Sequence, residues 1–493
     1  MTNTEEAKVR DFGLIFYVWF LVVTAAYAFG FYAIYQLLVQ NTDLTSWVTS
    51  KIGVGYSFVQ DYIWWIVLVA AVLFVIGILI AYLEVWLMSY IGAELVTGVI
   101  FGVTALLIGA GIYVLVGTNM EFWIGLTILI PGALIGIIVL LLSRRIILGA
   151  KLFEMSNEAV NEHKETLFPV LIFAVISIIT TVTGVATAIY AGSNLDLLLA
   201  HTSRWVAYLV FFLIIFAYVT IHHTMLYFSD AINICIFKRW NNYKDASIKY
   251  ALKEIWKVKG SIILFGMFMA FFDTLIKIIQ YFAAKKIKET SMFFKFWKIA
   301  KKALYIIFFI IIIVVKFLYA ILKFLNYYTL TIIVVEKQGF LRSMGRSSNL
   351  AVESAADIII GKTGVSIAKG LFTMMTFGVF AVGGYFLGYY WLAGQFGITD
   401  PTSVLIFSLA IAATCFFFGY LPTTAILRPI STAYKTILFF YIADPFRGHA
   451  DRKTRISGDI EESISKVKER VIETYNKEDR ATYGEKPEST PSE

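Results

Sequence analysis

The feature that most constrains this chain is a set of long apolar runs. A hydrocarbon core of about 30 Å needs about 20 apolar residues per helix. Runs of that kind recur near 14–38, 62–83, 95–117, 122–143, 167–192, 204–228, 260–284, 303–335, 365–393 and 403–427. Backbone groups in lipid must be satisfied within the segment itself, so such runs fold as helices. The expected fold class is therefore all-α: a polytopic helical membrane protein of about ten transmembrane helices. Composition agrees, with 59% hydrophobic and only 15% charged residues, against roughly 25% charged in a soluble domain. The boundaries predict a cytosolic N-terminus at 1–12, a transmembrane domain at 13–445 and a charged, partly disordered cytosolic tail at 446–493. MTNTEEAKVRDFG lacks the apolar core and cleavage site of a signal peptide, so the first span is expected to stay.

Lys and Arg give an orientation. With the N-terminus inside, Arg144, Arg145, Lys151, Lys164 and the seven basic residues from Lys238 to Lys259 fall inside. The outside loops 118–121, 193–203 and 394–402 then hold no Lys or Arg, as the positive-inside rule asks. Seven lysines between Lys285 and Lys302 break the rule. Either the run at 260–284 is re-entrant, or 303–335 is a hairpin, or the loop is an external basic patch; making both runs re-entrant leaves eight spans. The 33-residue run 303–335 also reads as one tilted helix. Segments 144–165 and 243–258 alternate apolar and charged residues at helical spacing and are expected as amphipathic helices at the inner surface. The formal charge of +8 is attributed to these membrane-flanking residues and to lipid headgroups, not to nucleic acid.

Few motifs carry chemistry. Gly361-Lys362-Thr363 lacks the glycine of a phosphate loop, since Ala356 stands five residues before Gly361, and the glycines are expected to break the chain before 365. Cys235 and Cys415 are the only cysteines and lie in apolar runs, which argues against a disulfide framework or a thiolate metal site. No HExxH, GxSxG or carboxylate cluster is present, so no enzyme, cofactor or metal is expected. His222-His223 lies inside a span, where it either relays protons with a carboxylate or is solvated at the interface. Asp273 precedes Lys277 by four residues, one face of a helix, which suits a self-paired charge or a role in cation binding. Glu84 and Glu94 are expected as solvated helix ends. Gly378, Gly383, Gly384 and Gly388 would let one helix approach another, and Pro131, Pro169 and Pro422 mark kinks. Tyr27, Phe31, Tyr32, Tyr218, Tyr327 and Tyr328 lie deep enough to offer aromatic faces, the natural ligands of a quaternary ammonium.

Four strings resemble the choline transporter-like family. Ser143-Arg144-Arg145-Ile146-Ile147-Leu148-Gly149-Ala150-Lys151-Leu152, running on to Leu167-Phe168-Pro169, resembles its basic helix and the proline that starts the next span. Lys259-Gly260-Ser261-Ile262-Ile263-Leu264-Phe265-Gly266 is similar to its GSLxFG stretch, and Lys323-Phe324-Leu325-Asn326, with Gly339-Phe340 and Ser343 beyond, to its KFLNR region. Tyr441-Ile442-Ala443-Asp444-Pro445 stands where that family ends its last helix. The resemblance implies ten helices and movement of choline or a related organic cation, with lipids as the other partner and the plasma membrane favoured over an organelle membrane as the location. On that reading Tyr218, Tyr227, Tyr327 and Tyr328 contact the cation, Asp230 or Asp273 supplies compensating charge, and His222 couples a proton. The alternatives are a non-transporting membrane subunit, marked by the lack of a central cavity, and a lipid-binding or lipid-moving protein.

Overall fold

The structure is a computed structural model that describes residues 13–37, 56–117, 122–193, 204–242, 244, 247–293, 298–395 and 400–443. The tail, the N-terminal dozen and the middle of the 285–302 loop lie outside the described residues. Among the described residues there are helices and no strand. The helices are α1 (Gly13–Tyr35), α2 (Tyr56–Gly117), α3 (Phe122–Leu141), α4 (Ser143–Glu162), α5 (Leu167–Ser193), α6 (Arg204–Asn241) and α7 (Ile248–Trp256). They continue with α8 (Lys259–Phe293), α9 (Lys298–Leu325), α10 (Thr329–Glu336), α11 (Phe340–Glu353), α12 (Ala355–Thr376) and α13 (Pro401–Ala443). By length and apolarity six of the described helices suffice to cross a membrane, seven when α3 and α4, bent by 74°, are taken as one span.

All ten apolar runs are helical over their described residues, apart from turns at Leu142 and at Asn326–Tyr328. Three local expectations change. The gap between 83 and 95 is closed, because α2 is one helix of 62 residues. At 1.5 Å per residue it is about 93 Å long, far more than one perpendicular crossing. No proline interrupts residues 84–94, and Glu84, expected to be solvated at a helix end, is only 2% exposed. Gly361 and Gly364 do not break the chain; they lie within α12, whose hydrogen-bond ladder tolerates glycine at a cost of about 1 kcal/mol each. The basic stretch after 284 is mostly a continuation of α8 to Phe293 and the start of α9 at Lys298.

The two amphipathic segments form helices of different character. In α7, Ser247 caps the first turn by accepting from the Tyr250 N–H, Ala251 and Ile255 are buried, and Leu252 and Trp256 stay exposed. That is the profile of an interfacial helix. By contrast α4 is enclosed: Leu152, Phe153, Met155, Ser156, Asn157, Ala159 and Val160 are all buried, in a cluster shared with α2, α6, α10, α12 and α13. Its buried polar residues donate within the helix, Ser156 Oγ to Leu152 O at 2.5 Å and Asn157 Nδ2 to Phe153 O at 2.8 Å, while Asn157 Oδ1 has no hydrogen-bond partner among the described residues. Large apolar side chains such as Leu14, Leu106, Val116 and Leu141 face outward, which is unfavourable in water and natural in lipid.

Beyond Thr376 the chain stays helical with two wide π turns, Phe377–Val382 and Gly388–Leu392. Of the four glycines there, Gly384 and Gly388 make the close approach to α13. A Cβ at Gly384 would stand 3.1 Å from Ala412 Cα, and one at Gly388 2.8 Å from Ser408 Cα, whereas Gly378 and Gly383 face open space.

Candidate functional site

The site is set by a helix that stops inside the bundle. α9 ends at Leu325 and α10 begins at Thr329, with neither proline nor glycine between them. The groups freed by the interruption are caught by side chains. Asn326 Nδ2 donates to Leu322 O at 3.0 Å and its Oδ1 accepts from Thr329 Oγ1 at 3.0 Å. Ser347 on α11 donates to Leu325 O at 2.8 Å and accepts from the Tyr328 N–H at 3.0 Å. With those partners the break carries no unsatisfied peptide among these groups. It also splits the two tyrosines, whose rings meet at 86° with centroids 4.9 Å apart.

Tyr327 turns to a cavity of about 510 Å³ bounded by α6, α8, the α9–α10 break, α12 and α13. Its wall holds His223, Tyr227, Asp230, Lys323, Lys362, Arg428 and Lys435 among apolar residues such as Phe265 and Met269. The Arg428 guanidinium grips Asp230 with both arms, Nε to Oδ1 and Nη2 to Oδ2 at 2.7 Å each, and Thr432 Oγ1 adds a third bond at 3.2 Å. Such a forked pair fixes both planes. Lys435 Nζ lies 5.3 Å from the Tyr327 ring centroid and Lys323 Nζ 4.3 Å from that of Tyr319, both within cation–π range. His223 stacks on Tyr227 and lies 3.4 Å from Asp273 Oδ2. Asp273 is also held by Lys277 at 2.9 Å and by the Tyr319 hydroxyl at 3.2 Å, so the self-paired reading of Asp273 and Lys277 is observed.

Of the residues expected to contact the solute or couple to it, Tyr227, Asp230 and Tyr327 thus share the cavity wall. Tyr218, Tyr328, His222 and Asp273 stand elsewhere. Tyr328 is fully buried on the far side of the break, near Ser354 and Phe439. Tyr218 ties three helices together, donating to Ala26 O on α1 at 2.5 Å and accepting from Thr187 on α5 at 2.8 Å. His222 points to Ser177 on α5 at 3.0 Å, while its neighbour His223 faces the cavity. Asp273 stands behind His223. Sequence reasoning missed Lys323, Lys362, Arg428 and Lys435. An ionisable residue inside or at the edge of a span is itself a signal that could have found them. Among the described residues no group of three or more His, Cys, Asp and Glu could hold a metal ion.

Apolar-faced helices that enclose a charged, aromatic-walled cavity of this size define a polytopic membrane protein able to hold a small solute. Residues 126–446, about two thirds of the chain, match the family described as plasma-membrane choline transporter. The chain belongs to that family, one of membrane transporters rather than enzymes. No curated protein matches it.

Proposed function

We propose that this protein moves choline or a closely related organic solute across the plasma membrane, with both termini cytosolic, and that the cavity between α6, α8, α9–α10, α12 and α13 is where the solute rests. The observation that carries the reading is the family membership joined to a solute-sized cavity walled by Tyr227 and Tyr327. Aromatic faces attract a quaternary ammonium, which has no N–H to donate. A cavity favours transport over a purely scaffolding subunit. Asp230 is not free to balance a cation, because Arg428 already neutralises it; the tyrosines are left as the cation-facing groups. Tyr218, Tyr328 and His222 then serve the pathway through helix packing, without touching the solute at this cavity.

The test is uptake of radiolabelled choline into liposomes containing the purified protein, under both pH gradients and with orientation verified. Saturable uptake is expected, weakened by roughly 5- to 30-fold in affinity in Tyr327→Ala or Tyr227→Ala, the loss of one cation–π contact of about 1–2 kcal/mol. Uptake indistinguishable from empty liposomes would overturn the reading.

A further inference from the structure

The charge on the cavity wall does not suit a bare cation. Lys323, Lys362, Lys435 and Arg428 face it, and Asp230 is the one carboxylate that does so among the described residues, which leaves an excess of three positive charges. Asp230 is consumed by Arg428 at 2.7 Å. Asp273 lies nearest on α8, but His223 stands in front of it and Lys277 holds it. Lys323, Lys362 and Lys435 make no direct ion pair with any described residue; two of them rest against tyrosine rings. They come from three separate helices, α9, α12 and α13, and converge on one space. Ser366, Ser431 and Thr331 add hydroxyls to the same wall. Ammonium groups gathered at one cavity, two inside a lipid-embedded bundle and Lys362 at its exposed edge, repel one another and are costly unless a negative group joins them. The group that such a set fits is an oxyanion with several acceptor oxygens, which lysines bind as point charges and hydroxyls complete.

We infer that the cavity takes a phosphoryl group, and, resting on the transport reading above, that its solute is a phosphocholine moiety. The phosphate would lie among Lys323, Lys362 and Lys435 and the trimethylammonium against Tyr227 and Tyr327. The ligand then brings its own negative charge, which settles the conflict between a cationic wall and a cationic solute. Phosphocholine occurs both as a soluble ester and as a lipid headgroup, and the two sources share this chemistry.

The experiment is equilibrium binding of radiolabelled phosphocholine to the purified full-length protein in phospholipid-free detergent, with choline, inorganic phosphate and short-chain phosphatidylcholine as competitors. Phosphocholine is expected to bind at least about tenfold more tightly than choline, and inorganic phosphate to displace it. The single variants Lys362→Gln and Lys435→Gln and the triple variant with Lys323→Gln should erode that preference stepwise, at unchanged elution volume. Lys362 is exposed, so its variant tests the idea even if the triple variant fails to fold. Stronger displacement by phosphatidylcholine than by phosphocholine assigns the headgroup source; the reverse assigns the soluble ester. Choline binding as tight as phosphocholine, no displacement by phosphate, or unaltered preference in Lys362→Gln and Lys435→Gln would each overturn the inference. Choline uptake in liposomes without phosphoryl binding would sink this inference and leave the transport reading standing; phosphoryl binding with uptake of neither choline nor phosphocholine would leave the phosphoryl site standing and overturn transport, and with it phosphocholine as a transported solute.

Discussion

Replacing Asp230 tests how the cavity wall is held. Its carboxylate receives two charged hydrogen bonds from Arg428 at 2.7 Å and one from Thr432 at 3.2 Å. A hydrogen bond to a charged group contributes about 1.5–3 kcal/mol, and breaking a fully buried pair costs about 3–5 kcal/mol. This pair is not fully enclosed: the Asp230 side chain is 12% exposed and that of Arg428 29%, because the guanidinium borders the cavity. Water there screens part of the loss. Asp230→Asn is therefore expected to destabilise by roughly 2–3 kcal/mol, below the fully buried figure. Arg428→Met leaves a carboxylate with Thr432 alone and should cost about as much. The double variant removes both charges, so its loss should fall short of the sum of the singles by about 1.5–3 kcal/mol. Reversible unfolding by sodium dodecyl sulfate in mixed micelles reads these differences directly. Singles within 0.5 kcal/mol of the parent, or a strictly additive double variant, would refute the argument that this pair anchors α13 to α6.

Three further outcomes follow from local geometry. Gly384→Ala should destabilise by about 1–3 kcal/mol, because its methyl group would meet Ala412 Cα at 3.1 Å and Cys415 Cβ at 2.8 Å, whereas Gly383→Ala, in open space, should be neutral or stabilising; equal effects of the two in the same unfolding assay would contradict the contact. Glu84 is 2% exposed and neither carboxyl oxygen has a hydrogen-bond partner among the described residues, so Glu84→Leu should stabilise by about 1–3 kcal/mol, and a loss of stability would reveal a partner for the acid. Outside the spans, burial opposes ionisation of Glu254, but Lys257 at 2.6 Å and Lys337 at 2.8 Å outweigh it and hold its carboxyl below the usual range. Its contribution is then present above the unfolded value of about 4.3 and lost as pH falls through the lowered folded value. The stability gap between the parent and Glu254→Gln should accordingly be full at neutral pH and shrink in acid; a gap constant with pH would dismiss the two lysines as its cause.

What could be read in the chain was what depends on neighbours in sequence. Apolar runs gave helices, and the four-residue spacing of Asp273 and Lys277 gave an ion pair at 2.9 Å. Partners distant in sequence were out of reach. Arg428 follows the last apolar run and reads as the start of a basic tail, yet it closes on Asp230, 198 residues earlier. Glu84 reads as a helix end because a carboxylate in an apolar run suggests water, whereas its neighbours Ala81, Val85 and Met88 lie in a core shared with other helices. The α9–α10 break was hidden for the same reason. Nothing at Asn326-Tyr327-Tyr328 forbids a helix, and the interruption depends on Ser347, which a separate helix delivers.

That break is also what links fold to site. In an uninterrupted helix Tyr327 and Tyr328 would diverge by about 100°, with a full ladder of hydrogen bonds and no lateral polar groups. Here Asn326 and Ser347 take over the ladder's role. Tyr328 is driven into the core against Ser354 and Phe439, and that anchoring fixes Tyr327 on the cavity side beneath Lys435. Lys323, one turn before the break, is brought to the same wall. One turn of irregular backbone thus supplies the cavity with an aromatic face and one of its positive charges, while its own polar groups are satisfied by side chains. Irregular backbone at membrane depth is tolerated where it is enclosed by protein or borders a cavity, and this turn meets both conditions.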